Sequence, residues 1–360
     1  MKKTNLIVLA TGGSGGHLFP ALSVCNTLLD NGYIVHILMD KRAFNYSIKW
    51  NEKTRFKKIS SIGLHNKSIF FFIKMMFITF FGLLEALFFL IFNRPKAIIS
   101  FGSYASIPSV LAGILLRIPV IMHEQNAILG KAHKIFVKYA KYLLISFKKT
   151  SEIPDTINPI FCGLPIRNDF IQFALLKRQE NKKIKIGIFG GSQGAQIFSK
   201  LIPQSFLKLS KEMQSEFEVY HQCRSESLDD AKNLWSQSNT GYNVFPFFQN
   251  MPELIFNLDV IIARSGASSI YEFACLNKYV LYVPFAKSAQ NHQVLNACNA
   301  VEYFGSKMVE EKDFNNEYIY NFLTNIVHNK NTILKQKEID VNSLDCFNSL
   351  KVVLNLINNI

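Results

Sequence analysis

A local sequence pattern occurs twice in this chain and constrains its fold more than any other feature. Leu9–Gly16 reads LATGGSGG after an apolar run at Leu6–Ala10, and Ile188–Ala195 reads IFGGSQGA after an apolar run at Ile184–Phe189. Each is a strand, a Gly-Gly-Ser turn and a helix start, which is how a parallel α/β unit begins. Two such beginnings in 360 residues predict an α/β protein of two doubly wound, Rossmann-like domains facing a cleft.

Short apolar runs alternate with longer helical stretches through both halves, as a parallel sheet covered by helices requires. The predicted strands are Leu6–Ala10, Tyr33–Met39, Ala97–Ser100, Pro119–Met122, Tyr142–Ser146, Ile184–Phe189, Glu218–His221, Val260–Ala263 and Val280–Val283. A proline-bearing stretch at Ser151–Pro165 is typical of an interdomain linker. We therefore expect domains at 1–162 and 163–342, with a C-terminal helix at about 343–360 as a candidate to pack back on the first.

The charge balance favours an anionic partner. Lys plus Arg number 40 and Asp plus Glu 26, for a net charge of +14, which suits phosphorylated ligands or an acidic lipid surface, although general solubility is an equal alternative. No Lys/Arg block is interleaved with aromatics, so nucleic acid is disfavoured. Six scattered cysteines without a C-x-x-C pair predict a reducing compartment. The run at Leu6–Ala10 is too short for a signal peptide.

The segment Ile69–Phe92 is apolar except for Lys74, Thr79, Gly82 and Glu85. As a helix it would be about 36 Å long and could span a bilayer. A span would bury Glu85 and would put the first glycine loop and the strand Ala97–Ser100 on opposite sides of the membrane. We therefore predict a helix or helical hairpin that packs one side on the sheet and presents an apolar patch to lipid, with an oversized core helix as the alternative. Basic residues that could meet acidic headgroups lie nearby: Lys53, Lys57, Lys58, Lys67, Arg94 and Lys96.

The first glycine loop, Thr11–His17, opens a helix, so its backbone N–H groups and the helix dipole suit an anion. It lacks the Gly-Lys-Ser/Thr of a P-loop. Gly13-x-Gly15 without a third glycine is an incomplete dinucleotide fingerprint, and Asp40 could serve as its ribose-binding acid. His17 in the first helical turn should stay neutral, as a general base or a hydrogen-bond donor, unless it only caps the helix.

Further polar clusters follow other predicted strands. Gly190–Ala195 offers Ser192 and backbone N–H groups to a phosphate, and Arg264–Glu272 opens another helix. There Glu272 could bind ribose hydroxyls, although Ser269 and Glu272 also fit a capping box. His123–Asn126 reads HEQN at a strand end, where it would line a ligand crevice or bond the sheet edge. No Asp-x-Asp or metal-ligand spacing occurs, so we expect no metal and no cofactor.

Six motifs in one order, TGGSGGH, HEQN, GLPIR, GGSQGA, RSGASSIYE and NHQ, resemble the MurG family of peptidoglycan synthesis from about Leu6 to Ala300. The resemblance implies the GT-B fold, with acceptor and membrane binding by the N-terminal domain and UDP-sugar binding by the C-terminal one. It implies an inverting transfer of N-acetylglucosamine from UDP-N-acetylglucosamine to undecaprenyl-diphospho-N-acetylmuramoyl-pentapeptide (lipid I), giving lipid II. It also implies a peripheral location on the cytoplasmic side of the inner membrane and a role in cell wall biogenesis, cell shape and division.

Site residues carry over by motif. His17 would be the base for the acceptor's 4-hydroxyl. Donor contacts would come from the residues Ser14, Gly15, Gly16, Asn126, Arg167, Ser192, Phe248, Ala267, Ser268, Ser269, Ile270, Tyr271, Glu272 and Gln293. Of these, Arg167 and Ser192 would hold the diphosphate, Phe248 would stand where main-chain groups read uracil, and Gln293 would touch the sugar hydroxyls. The chain departs from the family pattern at Leu164, Ser103 and Ser268, and Leu164 replaces a polar side chain.

Two other classes of function stay open at this point. A nicotinamide-dependent oxidoreductase is favoured by Gly13-x-Gly15 and Asp40, but the missing third glycine and the second glycine loop count against it. A membrane-docked nucleotide-sugar sensor would keep the donor site without transfer, and His17 together with the HEQN run counts against that.

Overall fold

The computed structural model describes residues 5–45, 48–63, 68–178, 181–191, 194–330 and 348–360. The chain divides into two compact units. Unit 1 comprises Met1–Arg167 together with Asp345–Ile360, and unit 2 comprises Asn168–Leu344. The chain therefore returns to its first unit after completing the second.

Unit 1 alternates strands and helices. Its strands are β1 (Leu6–Ala10), β2 (Ile34–Met39), β3 (Arg55–Lys58), β4 (Ala97–Ser100), β5 (Val120–Glu124), β6 (Tyr142–Ile145) and β7 (Ile160–Phe161). Its helices are α1 (Gly15–Asp30), α2 (Lys41–Phe44), α3 (Ile69–Phe92), α4 (Ile107–Leu115) and α5 (Lys131–Phe136), and the helix Ser349–Asn358 returns to this unit later in the chain. Short 3₁₀ turns lie at Tyr104–Ser106 and Val137–Tyr139.

The strands of unit 1 form a parallel sheet in the order β3-β2-β1-β4-β5-β6-β7. Successive residues of β1 point to opposite faces, so Ile7 and Leu9 join one apolar core and Val8 and Ala10 join the other. β1 pairs with β2 on one side and with β4 on the other. The strand order therefore runs outward from β1 in both directions, first to β3 and then to β7. The carboxyl end of β1 is therefore the switch point where an open α/β sheet binds its ligand.

The helix α3 has the predicted bounds and is one continuous helix. Only Gly82, Ala86 and Leu90 are buried along it, and a side chain at Gly82 would meet the carbonyl oxygen of Ser60 at 2.0 Å. Glu85 accepts hydrogen bonds from the N–H and Oγ of Ser60 at 2.7 and 3.0 Å. A narrow face of α3 thus packs on unit 1. The alternative of an oversized core helix is wrong, because only 17% of the most apolar stretch of α3 is buried.

By length and hydropathy α3 could cross a membrane. However, β3, which precedes α3, and β4, which follows it, belong to one sheet. In that sheet β3 pairs with β2, and β4 pairs with β1. A crossing would separate strands that belong to the same sheet, so α3 lies on the surface of unit 1.

Unit 2 repeats the alternation. Its strands are β8 (Ile184–Phe189), β9 (Phe217–Gln222), β10 (Gly241–Phe245), β11 (Val260–Ala263), β12 (Tyr279–Tyr282) and β13 (Lys307–Met308). Its helices are α6 (Asn168–Ala174), α7 (Gln196–Phe206), α8 (Lys211–Ser215), α9 (Leu228–Trp235), α10 (Met251–Asn257), α11 (Ala267–Cys275), α12 (His292–Phe304) and α13 (Asn316–His328). Short 3₁₀ turns lie at Ser225–Ser227 and Ala289–Asn291. We number the later helix of unit 1, Ser349–Asn358, as α14.

The parallel sheet of unit 2 has the order β10-β9-β8-β11-β12-β13. Its switch point is the end of β8, which pairs with β9 and β11. The core beneath it includes Ile186, Phe198, Phe206 and Trp235, all fully buried. The two glycine loops therefore occupy equivalent positions, one at each switch point.

Two of the expected features of this region are different in the structure. The stretch Ser151–Pro165 is not a linker, because β7 lies within it and Cys162, Leu164 and Ile166 are buried. The boundary falls after Arg167 instead of after residue 162 for the same reason. The departure at Leu164 is explained by the 1% exposure of its side chain, which is suited to an apolar residue.

Candidate active site

The first glycine loop joins β1 to α1 and has an open helix end. Ser14 occupies the N-cap position without a side-chain capping bond. Gly13 has φ +81°, and a side chain at Gly12 would meet Cβ of Ala105 at 2.3 Å. These glycines let the backbone turn tightly against a neighbouring loop. The exposed Ser14 and Gly16 and the half-buried Gly15 thus lie at a helix N-terminus that can receive an anion.

His17 stands in the first turn of α1, beside the ends of β4 and β5. Its Nδ1 lies 2.7 Å from the carbonyl oxygen of Phe101 and 3.0 Å from Oε1 of Gln125. The ring lies between two glycines in left-handed conformation, Gly13 and Gly102, with its Cδ2 nearer the first and its Cε1 nearer the second. Desolvation lowers the pKa of His17, although the charge of Glu124 opposes that shift. The imidazole is therefore neutral near pH 7, as a base must be.

The HEQN run at the end of β5 is mostly buried. His123, Glu124 and Gln125 are 0–2% exposed, and only Asn126 is half-buried. Of the two alternatives for this run, a ligand crevice or bonding to the sheet edge, the second applies to the first three residues, whose buried side chains bond nearby loops and each other. Asn126 is half-buried, and both its backbone N–H and its side-chain amide donate to Oε1 of Glu124, at 3.1 and 3.4 Å.

Glu124 is a buried carboxylate with several donors. It accepts from the N–H groups of Asn126 at 3.1 Å and Gly130 at 2.9 Å, and from Nδ1 of His133 at 3.0 Å. Burial alone would raise the pKa of Glu124, but these donors outweigh it and hold the pKa below its ordinary value. The ionised carboxylate therefore fixes the loop from Asn126 to His133. Sequence spacing gave no signal for His133, because it pairs with Glu124 across a loop.

Asp40 does not suit the role of a ribose-binding acid. Its Oδ1 accepts from the N–H of Ala43 at 3.1 Å, and its Oδ2 accepts from Nε of Arg42 at 2.8 Å. The carboxylate is 2% exposed and caps α2. Asp40, the main residue that favoured an oxidoreductase, therefore has a structural role as the N-cap of α2.

Arg167 ends unit 1 beside the first helix. Its guanidinium lies over the ring of Phe19, 4.9 Å from the centroid, and its side chain is half-buried. Phe19 belongs to α1, so Arg167 lies beside the helix that the glycine loop opens.

The second glycine loop joins β8 to α7. Gly191 and Gly194 have φ +78° and +64°, and a side chain at Gly190 would meet the backbone nitrogen of Ala195 at 2.2 Å. Each of these positions therefore requires glycine. Ser192, a predicted phosphate ligand, lies outside the described residues.

A second helix start in unit 2 lies next to that loop. The helix α11 begins at Ala267 with Gly266 as its N-cap and no side-chain capping bond. Ser269 is therefore inside the first turn, and the capping-box interpretation is wrong because it needs Ser269 at the N-cap. The backbone N–H groups of this turn, which no side chain of the N-cap residue satisfies, can receive a phosphate.

The side chains of this segment differ in what they can do. Ile270 and Tyr271 are 0% and 3% exposed and pack into the core, so a ligand could meet them only through their backbone. Ala267 is also buried, whereas Ser269 and Glu272 are half-buried. The Oγ of Ser268 is buried and has no hydrogen-bond partner among the described residues. A buried hydroxyl at the start of a helix without a partner in the chain can donate to an anion bound there.

Gln293 and Phe248 lie in other loops of unit 2. Gln293 accepts at Oε1 from the N–H of Phe285 at 2.9 Å, and its carbonyl accepts from Oγ of Ser265 at 2.8 Å. Gln293 is thereby tied to the loop that opens α11. The half-buried Phe248 packs edge-on against Phe189, the last residue of β8, with ring centroids 6.4 Å apart.

Arg264 holds this part of unit 2 together. Its guanidinium donates to the carbonyl oxygens of Val283 and Pro284 at 2.9 and 3.1 Å and pairs with Glu311 at 2.8 Å. It therefore ties the ends of β11 and β12 to one another. Among the described residues no group of three or more His, Cys, Asp or Glu could hold a metal ion.

Comparisons with known proteins agree with this two-unit arrangement. Residues 7–145 match the glycosyltransferase family 28 N-terminal domain, and residues 185–347 match the glycosyltransferase family 28 C-terminal domain. A Rickettsia bellii protein named UDP-N-acetylglucosamine–N-acetylmuramyl-(pentapeptide) pyrophosphoryl-undecaprenol N-acetylglucosamine transferase is 34% identical over 94% of this chain and 96% of its own. A Paramagnetospirillum magneticum protein of the same name is 31% identical over 86% and 84%. The crystal structure of Acinetobacter baumannii MurG matches with a TM-score of 0.78 at 23% identity, over 99% of both chains.

Two parallel α/β units, each with a glycine-opened helix at its switch point, define a glycosyltransferase of the GT-B class. The length and identity of these matches place it more narrowly. The chain belongs to glycosyltransferase family 28 and, within it, to the MurG family.

Proposed function

We propose that this protein transfers N-acetylglucosamine from UDP-N-acetylglucosamine to lipid I, with inversion at the anomeric carbon, to give lipid II and UDP. The observation that carries the proposal is the 34% identity, over nearly the whole of both chains, to a transferase whose name states that reaction. The geometry at the two switch points supports it.

Unit 2 supplies the donor-binding groups in this proposal. The N-termini of α7 and α11 present backbone N–H groups, and the unpaired Oγ of Ser268 lies in the first turn of α11. Ser192, Ala267, Ser269 and Glu272 would complete the diphosphate and ribose contacts, with Ile270 and Tyr271 contributing main chain only. Phe248 would lie beside the uracil and Gln293 beside the sugar.

Unit 1 supplies the acceptor-activating groups. His17 would remove the proton from the acceptor hydroxyl as the hydroxyl oxygen bonds the anomeric carbon and the bond to the β-phosphate oxygen breaks. The electron pair of that bond leaves on UDP. Backbone N–H groups at Ser14–Gly16 would stabilise the negative charge, with Arg167 and Asn126 as further ligands.

We also propose that unit 1 docks on the cytoplasmic face of an anionic membrane through α3. Large apolar side chains along it are exposed, among them Phe70, Phe77, Phe81, Phe88 and Phe92 at 58–80%. Exposed basic residues lie close in sequence: Lys53, Lys57, Lys58 and Arg94. An apolar helix face flanked by cations suits the interface of an acidic bilayer, and docking there would bring the enzyme to a lipid-linked acceptor. Lys67, which would extend this set, lies outside the described residues.

The test is sugar transfer with purified protein. Radiolabelled UDP-N-acetylglucosamine and a short-chain lipid I analogue should give labelled lipid II product and UDP only when both substrates are present. NAD should neither bind nor stabilise the protein, in keeping with the capping role of Asp40. UDP binding without product under these conditions would instead support a nucleotide-sugar sensor.

A further inference from the structure

A chain of side-chain hydrogen bonds in unit 1 ends on His17. His123 Nε2 lies 3.3 Å from the carbonyl oxygen of Gly163. Gln125 Nε2 lies 3.1 Å from Nδ1 of His123 and 2.7 Å from its carbonyl oxygen. Gln125 Oε1 lies 3.0 Å from Nδ1 of His17. The side chains of His123 and Gln125 thus connect Gly163, just after β7, to the candidate base, entirely within unit 1.

The direction of every bond in this chain is determined by its acceptors. The carbonyl of Gly163 can only accept, so His123 carries its proton on Nε2 and its Nδ1 is an acceptor. The carbonyl of His123 can only accept, so the amide atom 2.7 Å from it is the nitrogen of Gln125. The oxygen of Gln125 therefore faces His17.

Two oxygens then face the same imidazole nitrogen. The carbonyl of Phe101 at 2.7 Å and Oε1 of Gln125 at 3.0 Å both need a donor, and Nδ1 of His17 is the atom they share. A neutral imidazole carries one proton, so Nε2 holds the lone pair. Nε2 of His17 has no hydrogen-bond partner within the described parts of the chain.

We infer that Gln125, oriented by His123, is a positioning residue that fixes His17 as the Nδ1–H tautomer with Nε2 as the proton-accepting atom. The inference rests on the proposed function for the identity of the proton donor, which is the acceptor hydroxyl. In the reaction Nε2 takes that proton while Nδ1–H stays bonded to Phe101 and Gln125. Both carbonyl oxygens then stabilise the imidazolium that forms, because hydrogen bonds to a charged donor are stronger.

His123 suits the role of a fixed anchor. Its ring is fully buried, and desolvation lowers the pKa of His123 to about 4. It therefore stays neutral through the range in which the enzyme would work, and its Nδ1 remains an acceptor for Gln125. If His123 were protonated at Nδ1, the amide nitrogen of Gln125 would lose this partner.

The charges around His17 come from several elements. Glu124 on β5 raises the pKa of His17 and His133 on α5 lowers it. Asp40 lies against Gly12 of the same loop, and Arg167 lies over Phe19 of α1. Substitution of Gln125 changes none of these charges, unless the new residue is itself charged, so its effect on His17 can be separated from theirs.

The first experiment reads the tautomer directly. The full-length protein labelled with ¹⁵N at histidine, in the absence of substrate, should show the ring of His17 protonated at Nδ1 and unprotonated at Nε2, with His17→Gln identifying its signals. A ring protonated at Nε2 would overturn the inference while leaving the transfer reaction intact. Absence of transfer by the wild type would overturn the proposed function without changing this spectrum.

The second experiment titrates His17 in two variants. Gln125→Leu removes one acceptor and should lower the pKa of His17 by about one unit and kcat roughly tenfold, with KM changed far less. Gln125→Glu keeps the acceptor that faces His17 and adds charge, while it loses the donor to His123, so His17 should retain its tautomer and show a raised pKa. Gln237→Leu, a matched change on an exposed residue beyond α9, should change neither. A positioning role would be contradicted if the pKa of His17 shifted in the same direction in both Gln125 variants, or if it shifted in neither. If Gln125→Leu does not fold, the wild-type spectrum and Gln125→Glu still decide.

Discussion

The carboxylate of Glu124 and the imidazole of His133 form a buried hydrogen bond, with Oε2 and Nδ1 3.0 Å apart and side chains 2–3% exposed. The pair connects β5 to α5 and supports the loop that carries Asn126. Since Glu124 is held ionised by its donors, the consequence of losing His133 depends on whether a donor remains.

We expect His133→Leu to destabilise the protein by about 1.5–3 kcal/mol, because it removes one donor from a buried carboxylate that keeps its backbone donors. His133→Asn retains a side-chain N–H and should cost much less. Urea unfolding followed by tryptophan fluorescence and circular dichroism gives the free energies. Equal losses in the two variants would contradict a requirement for the donor.

His17→Ala should lower kcat by about 100- to 10,000-fold, the range that a positioned general base contributes. Calorimetry should find UDP affinity nearly unchanged, because the proposed UDP ligands are mostly in unit 2. His328→Ala, at the exposed end of α13, is the matched control and should leave both quantities unchanged. A parallel loss of UDP binding would instead show that His17 contacts the nucleotide-sugar donor.

Ser268→Ala separates ligand binding from folding. Its Oγ has no partner in the part of the chain that the structure covers, so its removal should leave the melting temperature within about 1 °C. UDP affinity should fall by about tenfold or more, the contribution of a hydrogen bond to a charged group. Ser236→Ala, an exposed position at the end of α9, controls for the substitution itself. A large stability loss with unchanged UDP affinity would show that Ser268 has a structural role only.

Acid should weaken unit 2 through His221. Burial lowers the pKa of His221 to about 3, and Trp235 donates to its Nδ1 at 3.2 Å. Between about pH 3 and pH 6.5, His221 is therefore protonated in the unfolded chain, where histidine has its ordinary pKa of about 6.5, but stays neutral in the folded chain. The stabilisation is complete above pH 6.5 and is lost as the pH falls toward 3, by about 1.4 kcal/mol per pH unit.

His221→Gln keeps an acceptor for Trp235 and does not titrate. Urea midpoints measured at pH 6.5 and 4.5 should therefore fall less in this variant than in the wild type. An identical pH dependence in the two proteins would mean that His221 takes up its proton in the folded state.

The triple substitution of Phe77, Phe80 and Phe81 by serine should reduce binding to phosphatidylglycerol vesicles by at least about a hundredfold, since each buried phenylalanine contributes about 1.5–3 kcal/mol. These side chains are 54–63% exposed, so the fold should be retained. Sedimentation with vesicles measures the effect. Leu175→Ser with Leu176→Ser, exposed in unit 2, provides the control and should not change binding.

The central strands could be predicted from the sequence because they are buried on both faces and read as continuous apolar runs, as at β1 and β11. The edge strands β3 and β10 could not. Every residue of β3 is exposed and three of its four are basic, so its pairing with β2 leaves no apolar signal. Strands at an edge are commonly protected in this way by charge.

The glycine loops and the helix starts that they open were also predictable, since they depend on local backbone chemistry. The burial of His123, Glu124 and Gln125 was not. Their partners, Gly163, His133 and His17, are 40, 9 and 108 residues away. The contacts across 40 and 108 residues are determined by the order of strands in the sheet, and the contact between Glu124 and His133 by the path of the loop between them; a single sequence contains neither.

The position of α14 has a consequence for biogenesis. Its side chains Val353 and Ile357 complete an apolar core of unit 1 that also contains Ile7, Leu9 and Val24. The ribosome delivers α14 only after every residue of unit 2 has been synthesised. During synthesis, unit 1 therefore cannot complete its apolar core until unit 2 has left the ribosomal exit tunnel. Until then, the part of that core that α14 covers stays open to solvent.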